Sequence, residues 1–92
     1  MITLDQKINI ADTVFAQEVD DEMVILDTVS EEYFGLDEMA AVIWQHLSES
    51  RSLQKVHDAM YEAYEVDSEQ LEKDICRFVQ QLADAGLVAL QK

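Results

Sequence analysis

Two histidines, one cysteine and twenty carboxylates are the groups in this 92-residue chain that could do chemistry. His46 and His57 could act as general bases or metal ligands. They lie on different predicted helices, and no HxxxH, CxxC or CxxH spacing accompanies them. Cys76 is the sole cysteine. A nucleophilic thiol needs a base placed to activate it, and none stands at an informative spacing, so a buried structural thiol is expected. The carboxylates are dense enough for close pairs to arise by chance. No pair has the separated environments that acid–base work requires. Gly35 and Gly86 are isolated, so there is no phosphate-cradling loop. The expected chemistry is therefore binding, with no catalytic residue, no metal and no cofactor.

Charge narrows the choice of partner. Twenty acidic residues face six basic ones, for a net charge of −14. The cations Lys7, Arg51, Lys55, Lys73, Arg77 and Lys92 are scattered. Nucleic-acid binders present a basic face that displaces phosphate counterions, so no nucleic-acid partner is expected. An acidic field favours a partner carrying Lys or Arg, and it also aids solubility. No apolar run is long enough to span a membrane. The start, "MITLDQKINI", lacks a charged opening followed by a continuous apolar stretch, so it does not read as a signal peptide. One cysteine cannot form an internal disulfide, which fits a reducing compartment. The expectation is a cytoplasmic protein with no membrane contact.

These constraints leave one small domain, residues 1–92, in which residues 1–12 read as an extended N-terminal segment. A chain of this length buries about 60–65% of its unfolded surface, leaving little room for a deep active site. "TVFAQEV" (13–19), "MVILDT" (23–28) and "YFGL" (33–36) read as strands separated by the turns "DDE" and "VSEE". The middle one is apolar at successive positions, as a strand covered on both faces would be. Short connections predict an antiparallel meander with the third strand at an edge.

Helices follow. Asp37 can cap the first, with Ala40, Ile43, Trp44 and Leu47 on one stripe. Ser52 can cap a second, with Leu53, Val56, Met60 and Tyr64 on one face. Asp67 and Gln70 have the spacing of a capping box for a third. Its stripe is Leu71, Ile75, Phe78, Leu82 and Ala85, and Gly86 stands where a left-handed terminating residue is expected. "LVAL" (87–90) could add a short strand. The predicted fold is α+β: a three-stranded antiparallel sheet followed by three helices, winged-helix-like. Trp44, Ile43, Leu47, Phe78 and Leu82 are the expected core.

The third strand raises the functional question, because an edge strand exposes unpaired N–H and C=O groups. Glu31 and Glu32 could simply blunt it. Alternatively, a partner's extended segment fills the edge, with backbone hydrogen bonds giving affinity and pockets beside a helix giving selectivity.

The stretch "VDDEMVILDTVSEEYFGLDEMAAVIWQHL" resembles the PqqD family, the RiPP recognition elements. "EVDDEMVILD" is similar to the family's first hairpin, and "YFGLDEMAAVIW" to its strand-to-helix junction. "YEVDSEQLEKDICRFVQQLADAGLV" is similar to its last helix and closing Gly-Leu-Val. The resemblance covers roughly residues 13–90. It implies three strands followed by three helices and a non-catalytic peptide chaperone. Such a protein binds the leader of a ribosomally made precursor peptide and presents it to a modifying enzyme, such as a radical SAM enzyme or a leader peptidase. In the family the leader adds as a strand to the third strand and packs on the third helix. Carried over by position, the peptide-binding residues are Glu32, Tyr33, Phe34, Gly35 and Leu36 on the strand, with Asp74, Arg77, Phe78 and Gln81 on the helix. Members from pyrroloquinoline quinone synthesis tend to have a valine-lysine pair where this chain has Tyr33–Phe34. The aromatic pair looks more like the discrete recognition proteins of lasso-peptide and other maturation clusters. The readings that compete with this one are an acidic adaptor or regulatory module and a winged-helix DNA binder, the latter opposed by the charge.

Overall fold

The polar punctuation of the sequence sets the elements of the computed structural model, which describes residues 2–91. Lys92, one of the scattered cations, lies outside the described residues. In chain order the elements are β1 (Ile8–Ile10), β2 (Val14–Val19), β3 (Glu22–Asp27), β4 (Tyr33–Leu36), α1 (Glu38–Ser50), α2 (Leu53–Ala63), α3 (Ser68–Asp84) and β5 (Val88–Leu90). The predicted meander is present: β2, β3 and β4 form one antiparallel sheet in that order, with β4 at an edge. Asp20 and Asp21 both take left-handed backbone angles, φ 51 and 68. Two such residues make the tight hairpin turn whose twist matches the flanking strands, and Asp tolerates that region better than most side chains. Glu22 therefore belongs to β3 rather than to the turn.

The terminal segments build a second sheet. "LVAL" does form a strand, and its partner is the N-terminal segment: Ile8 faces Leu90, Asn9 faces Ala89 and Ile10 faces Val88. β1 is also tied to the α1–α2 connection by the Ile8 N–H, which donates to the Arg51 carbonyl at 2.9 Å. Ile8, Leu87 and Val88 enter the core. Burial of these apolar side chains is what holds the two chain ends together.

The N-caps follow the sequence at all three helices. Asp37 accepts from the Ala40 N–H at 2.7 Å and Ser52 from the Lys55 N–H at 3.4 Å. Asp67 caps α3 through the Glu69 N–H, but no capping box forms, because Gln70 reaches forward to Asp74 instead. Gly86 ends α3 with φ 80, as expected.

Several core expectations need correction. Tyr64 is not on the buried face of α2. It is the extended residue that ends the helix, and it is exposed. The α3 stripe turns through Leu71, Ile75, Val79 and Leu82, so Val79 takes the buried place expected of Phe78. Phe78 is half-buried at the rim and Ala85 is the C-cap. The central strand β3 is covered on one face only: Ile25 is fully buried, while Val24 and Leu26 stay half-exposed and outside the core. His57 is a buried polar residue, and Cys76, expected to be buried, is only half-buried. Ile43, Trp44, Leu47 and Leu82 are buried as predicted.

The β3–β4 hairpin carries a pH-dependent contact. The Asp27 carboxylate accepts the Val29 N–H at 3.0 Å, and its backbone N–H donates to the Glu32 carbonyl at 2.9 Å. The Val29 N–H holds the Asp27 carboxyl below the usual carboxylate range; partial burial opposes this, and Thr13 and Ser30 reinforce it. A lowered folded-state pKa stabilises the fold fully above the ordinary value of about 4, and that stabilisation fades as pH falls through the lower value. Asp27→Asn should therefore be less stable than the parent at pH 7, with the gap closing below about pH 4. Urea midpoints measured from pH 7 to pH 2 test this; a gap independent of pH would refute it.

Candidate peptide-binding site

β4 runs into α1 with only Asp37 between them, so the Asp37 cap ties the strand's end to the first turn of the helix. Trp44 and Ile43, buried one to two turns along, lock that helix onto the core. On the other side stands α3. Between the two lies a concavity of about 380 Å³, lined by Phe34, Gly35, Leu36, Asp37, Ala40, Phe78, Gln81 and Leu82. A second of about 350 Å³ adjoins it, with Asp37, Ala40, Phe78 and Gln81 in common and Asp74 and Arg77 added. Together they form a groove alongside the β4 edge, in the size range of ligand sites.

Seven of the nine residues singled out from the sequence line this groove: Phe34, Gly35, Leu36, Asp74, Arg77, Phe78 and Gln81. Glu32 and the Tyr33 side chain do not. Glu32 precedes the strand, and Tyr33 projects from the opposite sheet face, in register with Leu26 and away from buried Ile25. Residues missed from the sequence are Asp37, Met39, Ala40, Ile43 and Leu82. Their stripe and cap roles were visible, but nothing local showed that the start of α1 would face α3. Phe78 is the bridging residue, and its half-exposure, misplaced as core, is what gives the groove an apolar wall.

The backbone of β4 has a definite parity. The Asp27 N–H donates to the Glu32 carbonyl, which puts those two at the position of a hydrogen-bonded pair, although the Asp27 carbonyl takes the Glu31 N–H in place of that of Glu32. Such pairs alternate in an antiparallel ladder, so Phe34 opposite Ile25 and Leu36 opposite Met23 also point their backbone groups at β3. Tyr33 and Gly35 then point theirs outward, over the groove edge. β2 forms the sheet's other edge, but the apolar concavity lies beside β4.

Arg77 is the one cation lining the groove, and among the described residues its guanidinium is in no ion pair. Asp74 accepts from Gln70.

A different polar chain, Asp58–His57–Ser68, has catalytic residue types but not a catalytic arrangement. His57 Nε2 lies 3.1 Å from Ser68 Oγ and 3.2 Å from the Ser68 carbonyl oxygen. Ser68 opens α3 and lines neither concavity of the groove, so the pair faces no part of the site. The contact staples α2 to the start of α3. The half-buried Cys76 thiol is pushed up by burial and then by Glu72, away from a reactive thiolate. Among the described residues no group of His, Cys, Asp and Glu could hold a metal ion. Among the described residues no helix is long and apolar enough to cross a membrane.

The family model for coenzyme PQQ synthesis protein D matches residues 22–88, which include β3, β4, all three helices and hence the whole groove. The chain belongs to the PqqD family. Two solved structures share its fold at a TM-score of 0.80. One is TbiB1 in complex with the TbiA(beta) leader peptide, 35% identical over 87% of this chain and 93% of that one. The other is a lasso peptide synthetase B1 complexed with the leader peptide, 30% identical over 90% of this chain and 98% of that one. No curated protein matches the chain.

Proposed function

We propose that this PqqD-family chain binds the leader of a ribosomally made precursor peptide by strand addition to β4 and presents it to a modifying enzyme. The observation that carries the reading is the free edge of β4 lying against an apolar groove whose far wall is α3. Tyr33 and Gly35 offer outward backbone groups for pairing, while Phe34, Leu36, Phe78 and Leu82 offer apolar contact for alternate leader side chains. Arg77 suits a leader carboxylate. The two similar structures, both complexes with leader peptides, support the same use of the fold. The lasso-peptide synthetase among them and the Tyr33–Phe34 pair favour a lasso-type pathway over pyrroloquinoline quinone synthesis. The chain's role is positioning, with the chemistry supplied by its partner.

A fluorescently labelled leader from the precursor encoded beside the chain tests this. It should bind the parent saturably. Phe78→Ala, which strips the groove wall at a half-exposed site, should weaken binding about tenfold, in line with loss of an interface anchor. Absence of binding to the parent, or equal binding by the Phe78 variant, would defeat the reading.

A further inference from the structure

We infer that the outward face of the three-stranded sheet docks the enzyme that acts on the bound precursor, through an apolar centre ringed by that enzyme's Lys and Arg side chains. This rests on the leader-binding reading for the identity of the partner, though not for the existence of the surface.

The register places Phe15, Leu26 and Tyr33 in one row across the sheet, with Gln17, Val24 and Gly35 in the next and Val19 beside the turn. These positions alternate with buried Val14, Ile25 and Leu36, so they share the face away from the helices. A one-sided antiparallel sheet normally turns polar side chains to solvent. Here Phe15 is 57% exposed, Val19 48% and Tyr33 73%, and Val29 protrudes from the adjoining hairpin. Val24 and Leu26 fill the centre without joining the core. A Cβ at Gly35 would meet nothing within 4 Å, so the face is open there too. A contiguous apolar patch of this kind on a small protein marks an interaction surface.

The rim decides the occupant. No Lys or Arg occurs between Lys7 and Arg51, a span that contains the whole sheet. The turn at one end of the patch carries Asp20 and Asp21, with Glu22 opening β3 beside it, and the connection at the other end carries Glu31 and Glu32. Two copies meeting face to face would oppose these carboxylates in the desolvated margin of an interface, which disfavours self-association. A basic-rimmed partner gains from the same charges, in rate and in specificity. The patch is also continuous with the leader site. β4 turns its edge and the Phe34 and Leu36 side chains to the groove, and the Tyr33 side chain to the outer face. One strand can therefore hold a peptide and an enzyme together.

The test uses the purified modifying enzyme encoded beside this chain, with association followed by biolayer interferometry and leader binding by the labelled peptide. Phe15→Ser and Phe15→Lys should each weaken enzyme association at least tenfold while leader affinity stays within about twofold. Asp20→Asn with Asp21→Asn keeps residues suited to the left-handed turn and removes two rim charges. It should slow association several-fold and flatten its dependence on salt. Enzyme association unchanged by both Phe15 substitutions overturns the inference. So does a parent that is dimeric by light scattering and becomes monomeric on Phe15→Ser, since the face would then belong to a second copy. If the leader fails to bind the parent while enzyme association still depends on Phe15, the leader reading falls and the docking face stands.

Discussion

Tyr33→Pro should leave the chain folded and abolish leader binding, whereas Phe34→Pro should damage the fold. The difference comes from the parity of β4. Tyr33 is opposite Leu26 in a non-bonded pair, so its N–H points over the groove edge and makes no bond to β3. Proline removes that N–H and is tolerated at outward edge positions. The incoming strand then loses a backbone bond and meets the ring, and a loss of at least tenfold in affinity is expected, about 1.4 kcal/mol. Phe34 is opposite Ile25 in a bonded pair. Proline there removes a ladder bond and strands a buried carbonyl, costing about 1–3 kcal/mol before steric strain is added. Gly35→Pro should behave like Tyr33→Pro, whereas Glu32→Pro removes no ladder bond, because the Glu32 N–H donates to Ser30 Oγ and not to β3. Tyr33→Ala keeps the backbone, and its side chain faces away from the groove, so its effect on affinity should be a smaller step. Circular dichroism with leader titration for each variant checks the pattern. Should Tyr33→Pro and Gly35→Pro both stay folded and bind as the parent does, β4 is not the docking edge and the adaptor reading takes its place.

Trp44→Ala should destabilise the chain by about 3–5 kcal/mol, the range for deleting a large buried aromatic. Trp44 is 4% exposed and sits among Ile43, Leu47 and the rest of the single core cluster. A domain of this size has about 5–14 kcal/mol of stability in total, so the loss is a large fraction of it. Urea denaturation reads the change. A loss below about 0.5 kcal/mol would be that of a surface residue and would contradict the packing. The groove should suffer with the fold, because α1 holds the Asp37 end of β4 in place. Apparent leader affinity should fall under conditions where the variant is partly unfolded, and excess leader should restore the folded fraction, since binding stabilises the folded state.

Local physics made much of this molecule legible in its sequence. The spacing of Ala40, Ile43, Trp44 and Leu47, the caps Asp37 and Ser52, and the terminating Gly86 each depend on residues within a turn or two. The meander follows from short connections, and the charge follows from counting. The resemblance at "YFGLDEMAAVIW" pointed to the strand beside the groove, and that at "YEVDSEQLEKDICRFVQQLADAGLV" to the helix facing it.

Tertiary structure decided the rest, for one recurrent reason: periodicity says which residues share a face but not what that face meets. Val24 and Leu26 read as covered because they are apolar, yet no element packs on their side of the sheet. Phe78 and Val79 are neighbours on α3. The tertiary placement of that helix sends Val79 into the core and leaves Phe78 at the groove. His57 became buried through a contact with Ser68, eleven residues away. The pairing of β1 with β5 joins the two ends of the chain, a contact for which short-range pattern carries no signal. The outward parity of Tyr33 and Gly35, on which the binding proposal turns, depended on the hydrogen bond from the Asp27 N–H to the Glu32 carbonyl. A one-residue slip in register would have reversed it.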